Sequence, residues 1–311
     1  MFSVIFPGQG SQTVGMAKEF YDKYPLVKDI FSRADKALGY SISKIILDGP
    51  TTEINLTENT QPAIFVVSYS IFSVIKKIFQ VDLNKAKYFA GHSLGEYSAL
   101  ACADGINFED TVCLLNQRGK SMQTAVPVGV GSMIAILGKD IKEIEKILSE
   151  NVQFKNCQIA NDNCPGQIVV SGQKSALAKV VELSGAHGIK RALPLNVSAP
   201  FHSSMMAEAA ARMKAVLDDI PFRNATVSVV PNVSAQPETD GTILKKLLIA
   251  QITGRVRWTD TIRLLDGKGV TQAIEIGAGK VLSGLVKRIT DKIDCISLCA
   301  PQEIEDFVVQ K

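Results

Sequence analysis

The stretch Tyr88-Phe89-Ala90-Gly91-His92-Ser93-Leu94-Gly95-Glu96 constrains this chain more than any other. An apolar run stops at a serine set between two glycines, and the tightly packed run Tyr97 to Ala103 follows. Two readings fit. Ser93-Leu94-Gly95-Glu96 matches a capping box, in which the serine hydroxyl accepts from the N3 amide and the glutamate reaches back to the cap amide. Gly91-His92-Ser93-Leu94-Gly95 also matches the sharp strand-to-helix turn that projects a nucleophilic serine. Its glycines permit a turn too tight for a β-carbon, and the next amide, on Leu94, points at any oxyanion formed there. The strand-like residues before Ser93 and the helix-like residues after it favour the second reading. One serine can also serve both.

A serine turn of this kind needs a buried strand on one side and a helix on the other, and the rest of the chain supplies more of each. Phe2 to Phe6 reads as a short buried strand ending in Pro7-Gly8-Gln9-Gly10-Ser11-Gln12. No Lys-Ser/Thr follows those glycines, so this is not a nucleotide loop. It is either a plain turn or a loop whose backbone approaches a ligand. Helical patterns cover Val27 to Leu38, Gln61 to Phe79 and Asp110 to Gln123. From Val126 to Asn196 the texture changes. A strand at Ser132 to Leu137, a helix at Ile141 to Leu148, strands at Cys157 to Ala160 and Ile168 to Ser171, a helix at Leu177 to His187 and a strand at Arg191 to Leu195 follow in turn. This β-α-β-β-α-β order is the ferredoxin-like arrangement, here set into a larger α/β unit. The larger unit resumes at Val197, with a strand near Thr226 to Val230, a helix from Leu244 to Ile252, another from Trp258, and a strand at Gln272 to Ile276. The loop Gly277-Ala278-Gly279-Lys280 fails the dinucleotide fingerprint, since Leu282 stands where a third glycine is required. It reads as a strand-turn-helix. The charged tail from Gln302 is expected to fray.

Composition excludes several functions. A chain of 311 residues, 46% hydrophobic and 21% charged, suits a soluble globular protein of one large domain or two smaller ones. A net charge of +3, with no dense Lys/Arg block, gives no footprint for nucleic acid. The longest apolar region, Ala63 to Ile75, carries Ser68, Tyr69, Ser70 and Ser73. It is shorter than the ~20 residues a membrane span requires, so it reads as a buried helix. The short apolar N-terminus before Pro7-Gly8 is no signal peptide. Cys102, Cys113, Cys157, Cys164, Cys295 and Cys299 include no Cys-x-x-Cys pair, and three histidines are few for a metal site. Free thiols and a cytoplasmic protein are expected, with no metal.

A serine nucleophile needs a proton acceptor, and the candidates are His92, His187 and His202. His92 adjoins Ser93 in a tight turn where neighbouring side chains point apart, which makes it structural. His187, in Ala186-His187-Gly188, reads as a helix C-terminal cap. His202 lies in a loop stiffened by Pro200, where the chain returns to the larger unit, and can face the serine across a cleft. Arg118 falls on the same helical stripe as Val112, Leu115 and Met122. A cation among core positions needs an anion. Either a structural salt bridge or a snorkelling stem explains it, or its planar fork holds a substrate carboxylate.

Taken together, Pro7–Gln12, Gly91–Glu96, Gln117-Arg118-Gly119, Ala199-Pro200-Phe201-His202 and Gly277–Leu282 resemble one family, in its order and separation. From Phe2 to about Ile296 the chain is similar to the malonyl-CoA:acyl carrier protein transacylases of fatty acid synthesis. The resemblance implies a large α/β-hydrolase-like core with a parallel sheet, residues 1–125 and 197–311, and an inserted ferredoxin-like small subdomain, residues 126–196. It implies that Ser93 attacks malonyl-CoA with His202 as base, that the backbone amides of Gln9 and Leu94 hold the oxyanion, and that Arg118 holds the malonyl carboxylate. The backbone carbonyl of Gln251 would orient His202. Asn161 and Asn163 match a loop near the pantetheine path, with simple turn chemistry as the alternative. Phe201 resembles members that accept malonyl and crowd out a branched group. Lys190 and Arg191 would meet the acidic carrier or coenzyme phosphates, or are solvated surface charge. Malonyl-CoA is the implied substrate and acyl carrier protein the implied partner, with no permanently bound cofactor, no nucleic acid and no membrane. A serine acyl hydrolase, a trans-acting acyltransferase of a polyketide pathway and a non-catalytic carrier-binding protein are the competing readings.

Overall fold

The structure, a computed structural model, describes residues 1–197 and 199–309. Its strands are β1 (Phe2–Phe6), β2 (Phe89–Gly91), β3 (Gly131–Leu137), β4 (Cys157–Cys164), β5 (Gln167–Gln173), β6 (Arg191–Pro194), β7 (Val229–Val230), β8 (Gln272–Ile276) and β9 (Asp294–Leu298). They form two sheets, β7-β2-β1-β8-β9 and β4-β5-β3-β6. The first is parallel throughout. Val4, Ile5 and Phe6 of β1, at its centre, form a continuous buried apolar run because both faces of the sheet are covered. Val4 and Phe6 join the core on one face, and Ile5 joins Trp258 and Ile262 on the other.

The second sheet is antiparallel. In chain order its strands lie 2-3-1-4, the arrangement expected of a ferredoxin-like unit. Side chains alternate between the two faces of a strand. Ile134, Ile136, Ile168 and Val170 bury themselves against the sheet's own helices, while Met133 and Val169 join the core of the larger unit. One face of the small sheet therefore packs on the larger unit, with β4 against the helices Trp258–Gly267 and Val281–Ile289.

The two units are stitched along β4. The Val256 amide donates to the Ala160 carbonyl at 2.8 Å and the Asp162 amide donates to the Val256 carbonyl at 2.9 Å. The Thr259 hydroxyl donates to the Asp162 carboxylate at 2.6 Å.

Three expectations need correction. The helix assigned to Leu177–His187 runs over Lys174–Glu182 and is capped at Leu183. The chain turns through Ser184 and Gly185, and the His187 ring packs edge-on against Phe154 at 5.7 Å instead of capping a helix. The strand near Thr226–Val230 shrinks to Val229–Val230, because the Ala225 and Thr226 amides are taken by the carbonyls of Thr239 and Ala103. The tail does not fray within the described residues. Pro301–Val309 is a helix that buries Ile304 and Phe307, and the Glu303 carboxylate accepts from the amides of Cys299 and Ala300 ahead of it. Gln310 and Lys311 lie outside the described residues.

Two helices position the site. Thr57–Lys77 is buried along most of its length and contains Pro62. Proline lacks the amide that would reach the Glu58 carbonyl, and Asn116 Nδ2 fills that place at 2.9 Å. Asn116 belongs to the helix Phe108–Thr124, which crosses at Gly119. A β-carbon there would lie 2.6 Å from Glu58 Cα. The close crossing brings Arg118 against Gln61.

Candidate active site

β2 ends at Gly91, and the helix Gly95–Cys102 begins four residues later. A β-carbon on Gly91 would lie 1.9 Å from the Gly95 carbonyl, and one on Gly95 would lie 2.3 Å from the Phe6 carbonyl oxygen. Only glycine permits that packing. Ser93 between them has φ +53°, and His202 has φ +56°. Both are left-handed conformations that non-glycine residues hold only when their surroundings impose them. For Ser93 the surroundings are visible. Its amide donates to Asn232 Oδ1 at 2.7 Å, and Asn232 Nδ2 donates to the Gly91 carbonyl at 2.6 Å. The capping-box reading is overturned, since the helix has no side-chain cap. The Glu96 carboxylate turns away, accepting from the Asn232 amide at 2.8 Å and from Gln251 Nε2 at 2.7 Å.

Ser93 Oγ lies 2.8 Å from His202 Nε2, and His202 Nδ1 lies 2.8 Å from the Gln251 carbonyl oxygen. Gln251 is in the last turn of the helix Gly241–Thr253, where carbonyls have no partner within the helix. A carbonyl only accepts, so Nδ1 carries the proton and Nε2 offers its lone pair to the serine hydroxyl. Burial, helped by the nearby Arg118 cation, pushes the His202 pKa down to about 3, so the ring is neutral at ordinary pH.

Arg118 is 1% exposed, yet among the described residues no carboxylate lies within ion-pairing distance of it. Nη1 donates to Gln61 Oε1 at 2.8 Å, and Nη2 donates to Gln251 Oε1 at 2.7 Å and to Ser93 Oγ at 3.2 Å. Its guanidinium carbon stands 5.5 Å from the Tyr97 ring centroid. Neutral amide oxygens thus hold both ends of a buried cation and leave its charge uncompensated. A salt bridge or a snorkelling stem does not describe it.

These groups open on a cavity of about 170 Å³ lined by Gln9, Ser93, Leu94, Arg118, His202, Asn161 and Asn163, with Met122, Met133, Val169, Leu195, Val197 and Phe201 supplying apolar wall. Among the described residues, the backbone amides of Gln9 and Leu94 donate to no protein acceptor. The sequence-predicted residues Ser93, His202, Arg118, Gln9, Leu94, Gln251, Phe201, Asn161 and Asn163 are thereby brought to one place. Asn163 Oδ1 lies 2.8 Å from His92 Nε2, and the His92 ring meets Trp258 edge-on at 5.7 Å. Lys190 and Arg191 are exposed, outside the cavity lining. Gln61, Glu96 and Asn232 were missed. Gln61 had a faint signal, a lone amide before Pro62 in an apolar helix, whereas Asn232 had none.

Such an arrangement can move an acyl group. The serine can lose its proton to the imidazole, two unpaired amides can receive the negative charge on a carbonyl oxygen, and a buried cation can hold an anionic substituent. The acyl transferase domain family model matches residues 3–300. The chain belongs to that family and is an acyltransferase. Within the family its similarity is to one kind of enzyme. It is 43% identical over 302 residues to a malonyl CoA-acyl carrier protein transacylase of Bacillus subtilis, covering 97% of this chain and 94% of the relative. It superposes on an acyl-carrier-protein S-malonyltransferase from Bartonella henselae with a TM-score of 0.96 at 42% identity, covering 99% and 98% of the two chains. A malonyl-transacylase solved in complex with a type II PKS acyl-carrier protein matches at TM-score 0.95 and 37% identity, covering 100% and 99%. Among the described residues no helix is long and apolar enough to cross a membrane.

Proposed function

We propose that this chain transfers a malonyl group from coenzyme A to the phosphopantetheine thiol of acyl carrier protein, supplying fatty acid synthesis. Ser93 Oγ attacks the thioester carbonyl while its proton passes to His202 Nε2. The C–S bond then breaks, coenzyme A leaves with that proton, and a malonyl-serine ester remains. The carrier thiol enters, gives its proton to His202 and attacks the ester, and Ser93 leaves with the proton. The backbone amides of Gln9 and Leu94 hold the oxyanion in both steps. Removing one such donor commonly costs ~10²–10³-fold in rate. The carbonyl end of the helix Gly241–Thr253 favours the imidazolium that forms on His202.

The observation that carries the reading is the uncompensated Arg118, whose fork suits a carboxylate. A malonyl carboxylate seated there also cancels the cation that helps depress His202, making the base stronger when substrate is bound. A serine hydrolase has no need of such a clamp, and an apolar cavity wall that excludes water favours transfer over hydrolysis. Phe201 narrows the cavity against a branched acyl group, and Asn161 and Asn163 line it beside the thioester arm. The reading takes residues 1–125 and 197–311 as the catalytic subdomain and 126–196 as the small one. It places the enzyme in the cytoplasm, in keeping with six unpaired cysteines. The test is Arg118→Ala. Malonyl transfer should fall by about 10²-fold or more, as expected for the loss of one partner of a buried charge pair, and acetyl transfer should fall far less. An unchanged malonyl-to-acetyl ratio would remove the clamp from the account.

A further inference from the structure

Gln251 enters the reaction above through its backbone carbonyl alone, but its side chain is buried and fully engaged. Oε1 accepts from Arg118 Nη2 at 2.7 Å, while Nε2 donates to Glu96 Oε2 at 2.7 Å and to the Ser93 carbonyl at 3.0 Å. We propose that the Gln251 side chain, anchored on Glu96, is a specificity-determining positioning element that aims the Arg118 guanidinium into the cavity without neutralising it. The inference rests on the malonyl-transfer reading.

The amide cannot turn over. A flip would set its NH2 against the donor-only guanidinium and its oxygen against a carboxylate. Glu96, 1% exposed and also held by the Asn232 amide at 2.8 Å, keeps Nε2 in place. A glutamate at position 251 would fit the same space and reach the same nitrogen, but it would pair with Arg118 directly and compete with the substrate carboxylate. Glutamine orients the cation through a neutral oxygen and leaves its charge free for the substrate carboxylate. The carbonyl that holds His202 belongs to the main chain and survives any substitution at 251, so side-chain variants separate aiming of Arg118 from support of His202.

The experiment compares transfer from malonyl-CoA and from acetyl-CoA to a phosphopantetheinylated carrier for wild type, Gln251→Met, Gln251→Glu, Glu96→Gln and the Glu96→Gln/Gln251→Met double variant. Labelling of Ser93 by a fluorophosphonate reports on folding and on the serine–histidine pair. Gln251→Met should lower the malonyl-to-acetyl ratio about tenfold or more, the loss expected of a hydrogen bond to a charged group. Gln251→Glu should lower it further and Glu96→Gln less. If Glu96 acts through Gln251, the double variant should be no less selective than Gln251→Met alone. Should Gln251→Met fail to label, the nearly isosteric Gln251→Glu decides. Variants that label normally and keep the wild-type ratio overturn the inference, as does a double variant whose losses add. A wild-type enzyme with no preference for malonyl overturns the inference together with the reading beneath it.

Discussion

His202 is a base kept uncharged by its surroundings. Its pKa falls from 6.5 to about 3, first through burial and then through the Arg118 cation. The unfolded chain takes up a proton at this position below about pH 6.5 that the folded chain refuses until about pH 3. The stability contributed by a neutral His202 is therefore lost as pH falls through that window. Glu96 runs the other way. Burial raises its pKa from 4.5 to about 7, so its contribution is full below about pH 4.5 and is lost as pH rises through about 7. In an NMR titration of the folded protein, the His202 ring should stay neutral from pH 7 to 5. Arg118→Met should raise its pKa while burial keeps it below the ordinary value. A His202 that titrates near 6.5 in the wild type would show that the ring is neither buried nor facing the cation.

The crossing of helices Thr57–Lys77 and Phe108–Thr124 sets where Arg118 points. Gly119→Ala should force them apart, because the new β-carbon would lie 2.6 Å from both Glu58 Cα and the Thr57 carbonyl oxygen, which are backbone atoms. A loss of about 1–3 kcal/mol is expected in urea unfolding, with a fall in malonyl-to-acetyl selectivity as Arg118 moves. Full stability and full selectivity would contradict the crossing. This element also shows what a sequence can and cannot display. Helical spacing put Arg118 on the stripe of Val112, Leu115 and Met122, and a buried cation asks for an anion whatever the fold. Gly119 gave no comparable signal, because the need for glycine lies in Glu58, a residue on another helix. Ser93 was legible because its turn is local, with both required glycines within two residues. The Ser93–Glu96 capping box was read from the same few residues and was wrong, since Asn232 and Gln251 compete for Glu96 from distant parts of the chain.

At the scale of the molecule, a serine on the parallel sheet's elbow and apolar wall from the small antiparallel sheet must keep fixed positions for the cavity to exclude water. The segment around Val256 provides the join, with hydrogen bonds to Ala160 and Asp162 and a 2.8 Å ion pair between Arg255 and Glu145. The Val256 and Asp162 amides should accordingly exchange with deuterium as slowly as those of β1. Exchange as fast as at the edge strand β6 would mean that the two units part readily. The order of strands and helices was legible in the sequence, since two side-chain periodicities announce it. The stitch was not, because Val256 acts through its main chain, which carries no residue-specific signal. The account stands or falls on a covalent intermediate. Intact-protein mass should be recorded after brief mixing with malonyl-CoA and again after adding phosphopantetheinylated carrier protein. The account predicts one malonyl adduct, absent in Ser93→Ala, that moves to the carrier. No adduct, or one that decays to free malonate without reaching the carrier, would contradict it.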